Sequence, residues 1–356
     1  MTTLDRTYLE LLPSCPERVR QSGLPVFIYG MGDGGEKMLK WCEKYGITPA
    51  GFFASDDFVR GQSFHGKAVI TLSQVEQLYG RVCVLLGFGT DLPEVMARID
   101  EIEKRHLLLA PDVSAIGSDI FDRSEFFSMF GDAEKAFDLL SDDLSRRTFT
   151  SLCAYKLTGE LSFLRAVFSD DSQLLDLIDP TPGETYVDLG AYNGDTVLSF
   201  IGRAGECRHI YAVEPEKRNF QKCLKNLRSL DDITLVNAAA WDRSCRLGFD
   251  SGSGRMAQIS PFGRSTTAAV SVDELLRGKP CTTIKYDVEG ADIEALNGSA
   301  RTIASFRPKL LCAAYHRCYD FVRVPLHIAA IADGYSFYLR QSRYYPAWET
   351  NYVAKV

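Results

Sequence analysis

Two acidic residues stand where apolar runs stop: Asp188 in Tyr186-Val187-Asp188-Leu189, and Glu214 directly after His209-Ile210-Tyr211-Ala212-Val213. Between them lies Gly190-Ala191-Tyr192-Asn193-Gly194-Asp195-Thr196. A strand that halts in small residues before a helix lets a ligand approach the backbone at the carboxyl edge of a sheet. Gly190 and Gly194 lack a β-carbon, so the chain can turn sharply there and leave room for a bulky group. Asp188 is placed to hold an ammonium group, and a carboxylate at Glu214 can accept both hydroxyls of a ribose. Asn193 and Thr196 add polar side chains. These features describe a nucleoside pocket; the plainer alternative is a turn and an acid that only cap their elements.

The loop is not the three-glycine cradle that dinucleotide enzymes use for pyrophosphate. Two carboxylates repel a pyrophosphate but suit a sulfonium that carries an amino-acid tail. The expected cofactor is therefore S-adenosyl-L-methionine, held by Asp188, Gly190, Ala191, Asn193, Gly194, Thr196, Glu214 and Pro215. Asn237-Ala238-Ala239-Ala240 follows a further apolar run, and its small residues would admit an adenine beside Asn237 and Ala238; a tightly packed turn is the other reading. Methyl transfer from a sulfonium is an in-line displacement, so positioning dominates, and a hydroxyl acceptor gains from a base near its proton. Asp287, ending Thr283-Ile284-Lys285-Tyr286, is one candidate for that base. His316, with an ordinary pKa nearer neutrality, is the other. Glu289 either joins Asp287 as a second acid or caps a helix beginning at Gly290. Ser251-Gly252-Ser253-Gly254-Arg255 reads as a loop near the acceptor entrance or as a simple hairpin tip.

The elements that must carry these groups alternate in type. Strands are expected at Pro25–Tyr29, Ala50–Ala54, Val82–Leu86, Thr185–Leu189, His209–Val213, Ile233–Val236, Thr283–Tyr286 and Leu310–Ala314. Helical patterns intervene, among them Phe220, Cys223, Leu224 and Leu227 on one face. Such alternation implies parallel pairing and an α/β fold. Tyr335–Arg340 and Thr350–Val356 have no helix between them and are expected to form an antiparallel hairpin. Glu134, Phe137, Leu140, Leu144, Phe149, Leu152, Tyr155 and Leu157 space as a helical core. The resulting division is a Rossmann-like N-terminal domain over 1–119, a helical connector over 120–176 and a catalytic domain over 177–356.

The first domain holds a full G-x-G-x-x-G at Gly30, Gly32 and Gly35, after a strand and before a helix. A nucleotide or nucleotide sugar is the candidate ligand for Gly30–Gly35, although Ala54-Ser55 precede Asp56 and Asp57 where a strand-end acid is wanted. On that reading the chain would be an NAD(P)-dependent oxidoreductase; a nucleotide-sensing scaffold is a third.

The string VDLGAYNGDT, the pair Glu214-Pro215, Ile284-Lys285-Tyr286-Asp287-Val288-Glu289-Gly290-Ala291, and Arg343-Tyr344-Tyr345 followed by Glu349-Thr350 together resemble the FkbM-type methyltransferases. The likeness covers roughly Leu177 to Val356, and more loosely Leu140–Gly159. It implies a class I methyltransferase fold, a seven-stranded sheet whose last strand is antiparallel. It also implies S-adenosylmethionine-dependent methyl transfer to a hydroxyl of a sugar, a polysaccharide precursor or a secondary metabolite. Tyr192 departs from the pattern, which often has Asn directly after the alanine, and the region before Leu140 is absent from the family's smallest members. Val26–Leu78 is similar to the nucleotide-sugar-binding domains of sugar-modifying enzymes.

Bulk properties narrow the setting. Over 356 residues the net charge is −7, so no basic field draws the protein to nucleic acid or an anionic membrane. No apolar run approaches the roughly 20 residues of a membrane helix, and the N-terminus lacks the pattern of a secretory signal. Ten cysteines without a CxxC pair read as scattered thiols in a reducing, cytoplasmic setting. Cys312 and Cys318 flank His316 without zinc-site spacing, so no metal is expected. Nothing in the pattern specifies an oligomer.

Overall fold

The computed structural model describes residues 3–170, 172–250, 258–259 and 265–356. The chain forms two compact units. Unit 1 comprises Met1–Glu134, Arg146–Phe168 and Gln341–Glu349; unit 2 comprises Lys135–Ser145, Ser169–Arg340 and Thr350–Val356. The helices over 120–176, including Arg123–Ser128, Phe130–Asp138 and Asp143–Thr158, are thus shared between the two.

Unit 1 is built on β1 (Val26–Tyr29), β2 (Gly51–Ala54), β3 (Ser63–Phe64), β4 (Lys67–Thr71), β5 (Cys83–Leu86) and β6 (Leu107–Leu109). They form one sheet in the order β3-β4-β2-β1-β5-β6, parallel throughout except for β3. β1, β2 and β5 are short unbroken apolar runs because both faces of a parallel sheet are covered. The helix Gly32–Lys44 lays Met38, Trp41 and Cys42 onto that surface, where they join Ile28, Phe52 and Leu85 in the core. Each such side chain contributes about 1.5–3 kcal/mol by leaving water.

Unit 2 is built around a larger sheet. Its strands in chain order are β7 (Phe168–Ser169), β8 (Glu184–Leu189), β9 (Cys207–Val213) and β10 (Ile233–Val236). After β11 (Ala239–Ala240), β12 (Cys245–Asp250), β13 (Gln258–Ile259) and β14 (Ser265–Val270), it resumes with β15 (Thr283–Tyr286), β16 (Lys309–Ala313), β17 (Ser336–Ser342) and β18 (Thr350–Lys355). The main order is β10-β9-β8-β15-β16-β18-β17-β7, while β11–β14 make a separate four-stranded sheet. β10, β9, β8, β15 and β16 run parallel, and β18 enters antiparallel beside β16. With β17 beyond β18 these make the seven strands of the expected class I arrangement; two-residue β7 adds an eighth at the edge.

The strand order reverses direction at β8, so the crevice beyond its carboxyl end is the switch point where open α/β sheets bind ligands. The helix Asp195–Ala204 follows β8 and buries Val197, Phe200 and Ala204. Phe200 stacks on Tyr186 at 3.9 Å between centroids. The helix Lys217–Asn226 follows β9, with one departure from its expected face. It buries Asn219 and Cys223, with Leu227 just beyond, at i, i+4, i+8 spacing, whereas Leu224 is exposed. The face is rotated because Asn219 is drawn in by the turn that caps this helix: its N–H donates to Glu216 Oε2 at 2.8 Å.

Candidate functional site

Three strand ends meet at the crevice of unit 2. β8 places Asp188 opposite Lys285 of β15 in register. Lys285 Nζ donates to Asp188 Oδ1 at 3.2 Å and to the Gly190 carbonyl at 3.3 Å, and stands 3.5 Å from Asp287 Oδ2. Thr196 Oγ1 donates to Asp188 Oδ2. Asp188 is fully buried, so the ammonium it holds here is that of Lys285. Burial opposes the Lys285 charge, but Asp188 and Asp287 outweigh it and hold the ammonium above its ordinary range. Gly190 has φ 84°, and a β-carbon on it would stand 1.9 Å from the Asp287 carbonyl oxygen. Only glycine lets the ends of β8 and β15 come this close.

The second carboxylate follows β9. Glu214 Oε2 accepts from the Tyr192 N–H at 2.9 Å, and Oε1 from the Glu216 N–H at 2.8 Å. Burial pushes its carboxyl up to about 7, with those two N–H groups pulling the other way. The intervening turn is held by its own polar groups. Asn193 Oδ1 accepts from the Asp195 N–H at 3.0 Å, and the Asn193 carbonyl accepts from Asn226 Nδ2 at 2.9 Å. Gly194 adopts φ 88° at the start of the following helix, and Ala191 is fully buried. Asn237 Nδ2 donates to the carbonyls of Glu214 and Pro215 at 2.8 and 3.1 Å, and Ala238 beside it is buried. The expected donor residues are thus neighbours, but most of their side-chain polar atoms are spent on fixing the loops.

The third cluster lies after β15 and β16. His316 is buried, with Nδ1 2.8 Å from Asp292 Oδ2 and Nε2 3.2 Å from Asp287 Oδ1; Glu289 Oε2 is 3.8 Å from the same Nε2. Tyr315 Oη donates to Asp287 Oδ1 at 3.4 Å. Burial would discharge His316, but Asp292 and Asp287 prevail and hold the imidazole well above its usual value. Burial also raises Asp287, yet Lys285 and His316 overcome it, so the carboxyl is held well below the usual range. Asp287 and Glu289 are the members of this cluster that reach solvent, each about one third exposed. Nearby, burial and Asp292 push Asp320 up to about 6.

Glu289 does not cap a helix at Gly290. Both residues have positive φ, 53° and 84°, which a helix cannot use, and the helix begins at Asp292. The segment 251–255 lies outside the described residues. Lys285, Asp292 and Tyr315 were missed among the expected site residues. For Lys285 a signal existed, because residues two apart on a strand share a face and Lys285 precedes Asp287 by that interval. Asp292 carried none: its role depends on where the helix begins.

In unit 1 the glycine run has a packing explanation. A β-carbon on Gly34 would stand 1.9 Å from the Gly87 carbonyl oxygen, and one on Gly30 3.0 Å from the same atom. At the end of β1, Tyr29 stacks on Phe53 at 4.6 Å, meets Phe88 edge-on at 4.8 Å and bonds Ser55 through its hydroxyl. Among the described residues, no helix is long and apolar enough to cross a membrane. Among them too, no group of three or more His, Cys, Asp or Glu residues is arranged to hold a metal ion. The ten cysteines are free thiols, Cys312 and Cys318 both buried.

A parallel sheet with an inserted antiparallel last strand is the class I methyltransferase fold. Residues 188–337 match the model of the methyltransferase FkbM domain, and the chain carries that domain. Enzymes of this family take their methyl group from S-adenosylmethionine. No curated protein matches the chain. Among solved structures it is similar to the methyltransferase FkbM from Methylobacillus flagellatus KT. That likeness has a TM-score of 0.71 at 20% identity and covers 99% of this chain and 94% of the other. A precorrin-6y C5,15-methyltransferase from Geobacter metallireducens GS-15 gives a TM-score of 0.34 at 13% identity, covering 51% of this chain and 84% of that one. Fibrillarin from Aeropyrum pernix, in complex with natively bound S-adenosyl-L-methionine, gives 0.32 at 14% identity, covering 49% and 67%.

Proposed function

We propose that unit 2 transfers a methyl group from S-adenosylmethionine to a hydroxyl of a sugar, a polysaccharide precursor or a secondary metabolite. The observation that carries the reading is Glu214. It is a buried carboxylate at the end of β9, fixed by two backbone N–H groups and beside a turn that only glycine can make. A carboxylate so placed fits a ribose diol as acceptor. Gly190, Ala191, Asn193 and Gly194 would line the methionine tail through their backbone, with Asp188 and Thr196 holding that turn in shape. Pro215, Asn237 and Ala238 would form the adenine wall.

When bound, the cofactor supplies an electrophilic methyl group on a positive sulfur. The protein's share is to orient the acceptor. Asp287 is the exposed end of a charged chain, Asp292–His316–Asp287, with Lys285 on its other side. An imidazolium has no lone pair with which to take a proton, and a carboxylate flanked by two cations is a poor base. Asp287 therefore acts as a hydrogen-bond acceptor that aims the acceptor hydroxyl, with Glu289 alongside, and the hydroxyl proton leaves to water at the mouth. His316 is a positioning residue.

Tritiated methyl transfer to a panel of glycans and to cell extract tests this. Label appearing in an alkali-stable ether, and lost in Asp287→Ala, supports it. Label only in a carboxyl ester or an amine would replace the hydroxyl acceptor.

A further inference from the structure

Unit 1 contains a cavity of about 400 Å³ to which none of Gly30–Gly35 contributes. Its size falls within the roughly 300–1,000 Å³ of small-molecule sites. Its walls are aromatic: Trp41 from the helix Gly32–Lys44 and Tyr45 directly after it, Phe121 from the loop before the helix Arg123–Ser128, and Phe127 from within that helix.

The charged lining is balanced in number, with Asp112 and Asp122 against Arg123 and Lys156. Lys156 Nζ donates to Asp112 Oδ2 at 2.8 Å, and both side chains are about 5% exposed or less. Asp122 is paired with Lys44 at 3.0 Å, and Arg123 donates to the Leu12 carbonyl at 2.7 Å. Arg123 sits over the Phe127 ring at 5.1 Å and Lys156 over Phe121 at 5.8 Å. A buried ion pair is weak evidence of stability, since desolvation consumes most of its attraction, and a well-packed apolar pair would serve the fold as well. Its retention on a cavity wall calls for another reason.

We infer that this cavity binds a neutral saccharide ring. Two cations and two anions leave no net charge to select an anion or a cation. Ring hydroxyls both donate and accept, so they can meet carboxylate and ammonium alike, while the C–H face of the ring lies on the aromatic walls. A flat aromatic ligand would press an apolar edge against Asp112 and Lys156, which is costly. The inference does not rest on the acceptor of unit 2 being a sugar.

The test uses the full chain and a panel of neutral methyl glycosides and N-acetylhexosamines, with indole and inorganic phosphate as controls. Binding is read by saturation-transfer NMR and tryptophan fluorescence. At least one glycoside should bind below about 10 mM and lose about tenfold or more in affinity in Phe127→Ala. Tyr45→Leu, also partly exposed, provides a second variant, and calorimetry with S-adenosylhomocysteine checks that each variant stays folded. Binding of indole or phosphate alone, or no binding at all, overturns the inference. Glycoside binding that survives both substitutions overturns it too, because that sugar is then held elsewhere, as by the acceptor site of unit 2.

Discussion

Asp292 Oδ2 lies 2.8 Å from His316 Nδ1, and both side chains are buried, so each ionised partner is the chief compensation for the other's lost hydration. The imidazolium in turn faces Asp287 at 3.2 Å, which makes a buried carboxylate the support for an exposed one. Histidine-selective NMR on the full chain should find one of the five rings still protonated well above the ordinary 6.5. In Asp292→Asn that ring should titrate lower, and Asp292→Glu should restore part of the effect. Stability from His316 is complete below its unfolded pKa and fades only as pH climbs through the raised folded value. A wild-type ring titrating near 6.5 would contradict the charged chain.

Lys285 holds Asp188 and Asp287 from one buried position. Removing one member of a buried pair leaves an uncompensated charge, which costs about 3–5 kcal/mol. Lys285→Met should lower unfolding stability by that order in chemical denaturation. A variant as stable as the wild type would show that Asp188 is not dependent on this ammonium.

Glu214 gives stability a pH dependence of the opposite kind to a salt-bridged acid. Its folded carboxyl is raised from 4.5 to about 7, so the folded state binds this proton more tightly than the unfolded chain. The associated stability is present below about 4.5 and lost as pH rises through 7, up to about 3 kcal/mol. Denaturation curves between pH 4.5 and 8 should show that decline flattened in Glu214→Gln. An unchanged slope would assign the decline to other groups.

Tyr192 adopts φ 49°, the left-handed region that Asn tolerates better than an aromatic residue. That gives a physical reason for the asparagine usual at this place in the family. Its N–H, which Glu214 uses, is available from any residue but proline. Tyr192→Asn should therefore raise stability by about 1 kcal/mol or less, read as a shift in denaturation midpoint with cofactor affinity retained. Destabilisation would mean that the ring's contacts, including Lys222 at 5.3 Å, outweigh the strain.

The sheet of unit 2 was legible because its strands are short apolar runs that end in chemistry: Asp188, Glu214 and Asp287 each mark a strand end. In unit 1 the central strands β1, β2 and β5 were equally plain, whereas the short or partly exposed β3, β4 and β6 were not anticipated. The charge network was not legible, because the pairing of Lys285 with Asp188 is a matter of register between strands 97 residues apart in sequence. Asp292 opposite His316 depends likewise on where a helix begins after two left-handed residues. Glycine was ambiguous throughout. A β-carbon on either Gly34 or Gly190 would stand 1.9 Å from a carbonyl oxygen, one at a packed strand end and the other at the candidate site, and spacing alone does not separate these uses.

Calorimetric titration of the full chain with S-adenosylhomocysteine tests the central claim most directly. Ribose hydroxyls bind the carboxylate form of Glu214 better than the neutral acid, so affinity should tighten as pH rises through about 7. Glu214→Gln should bind weakly and with little pH dependence. No binding by the wild type, or affinity in Glu214→Gln equal to wild type at pH 8, would contradict the assignment of this crevice to the cofactor.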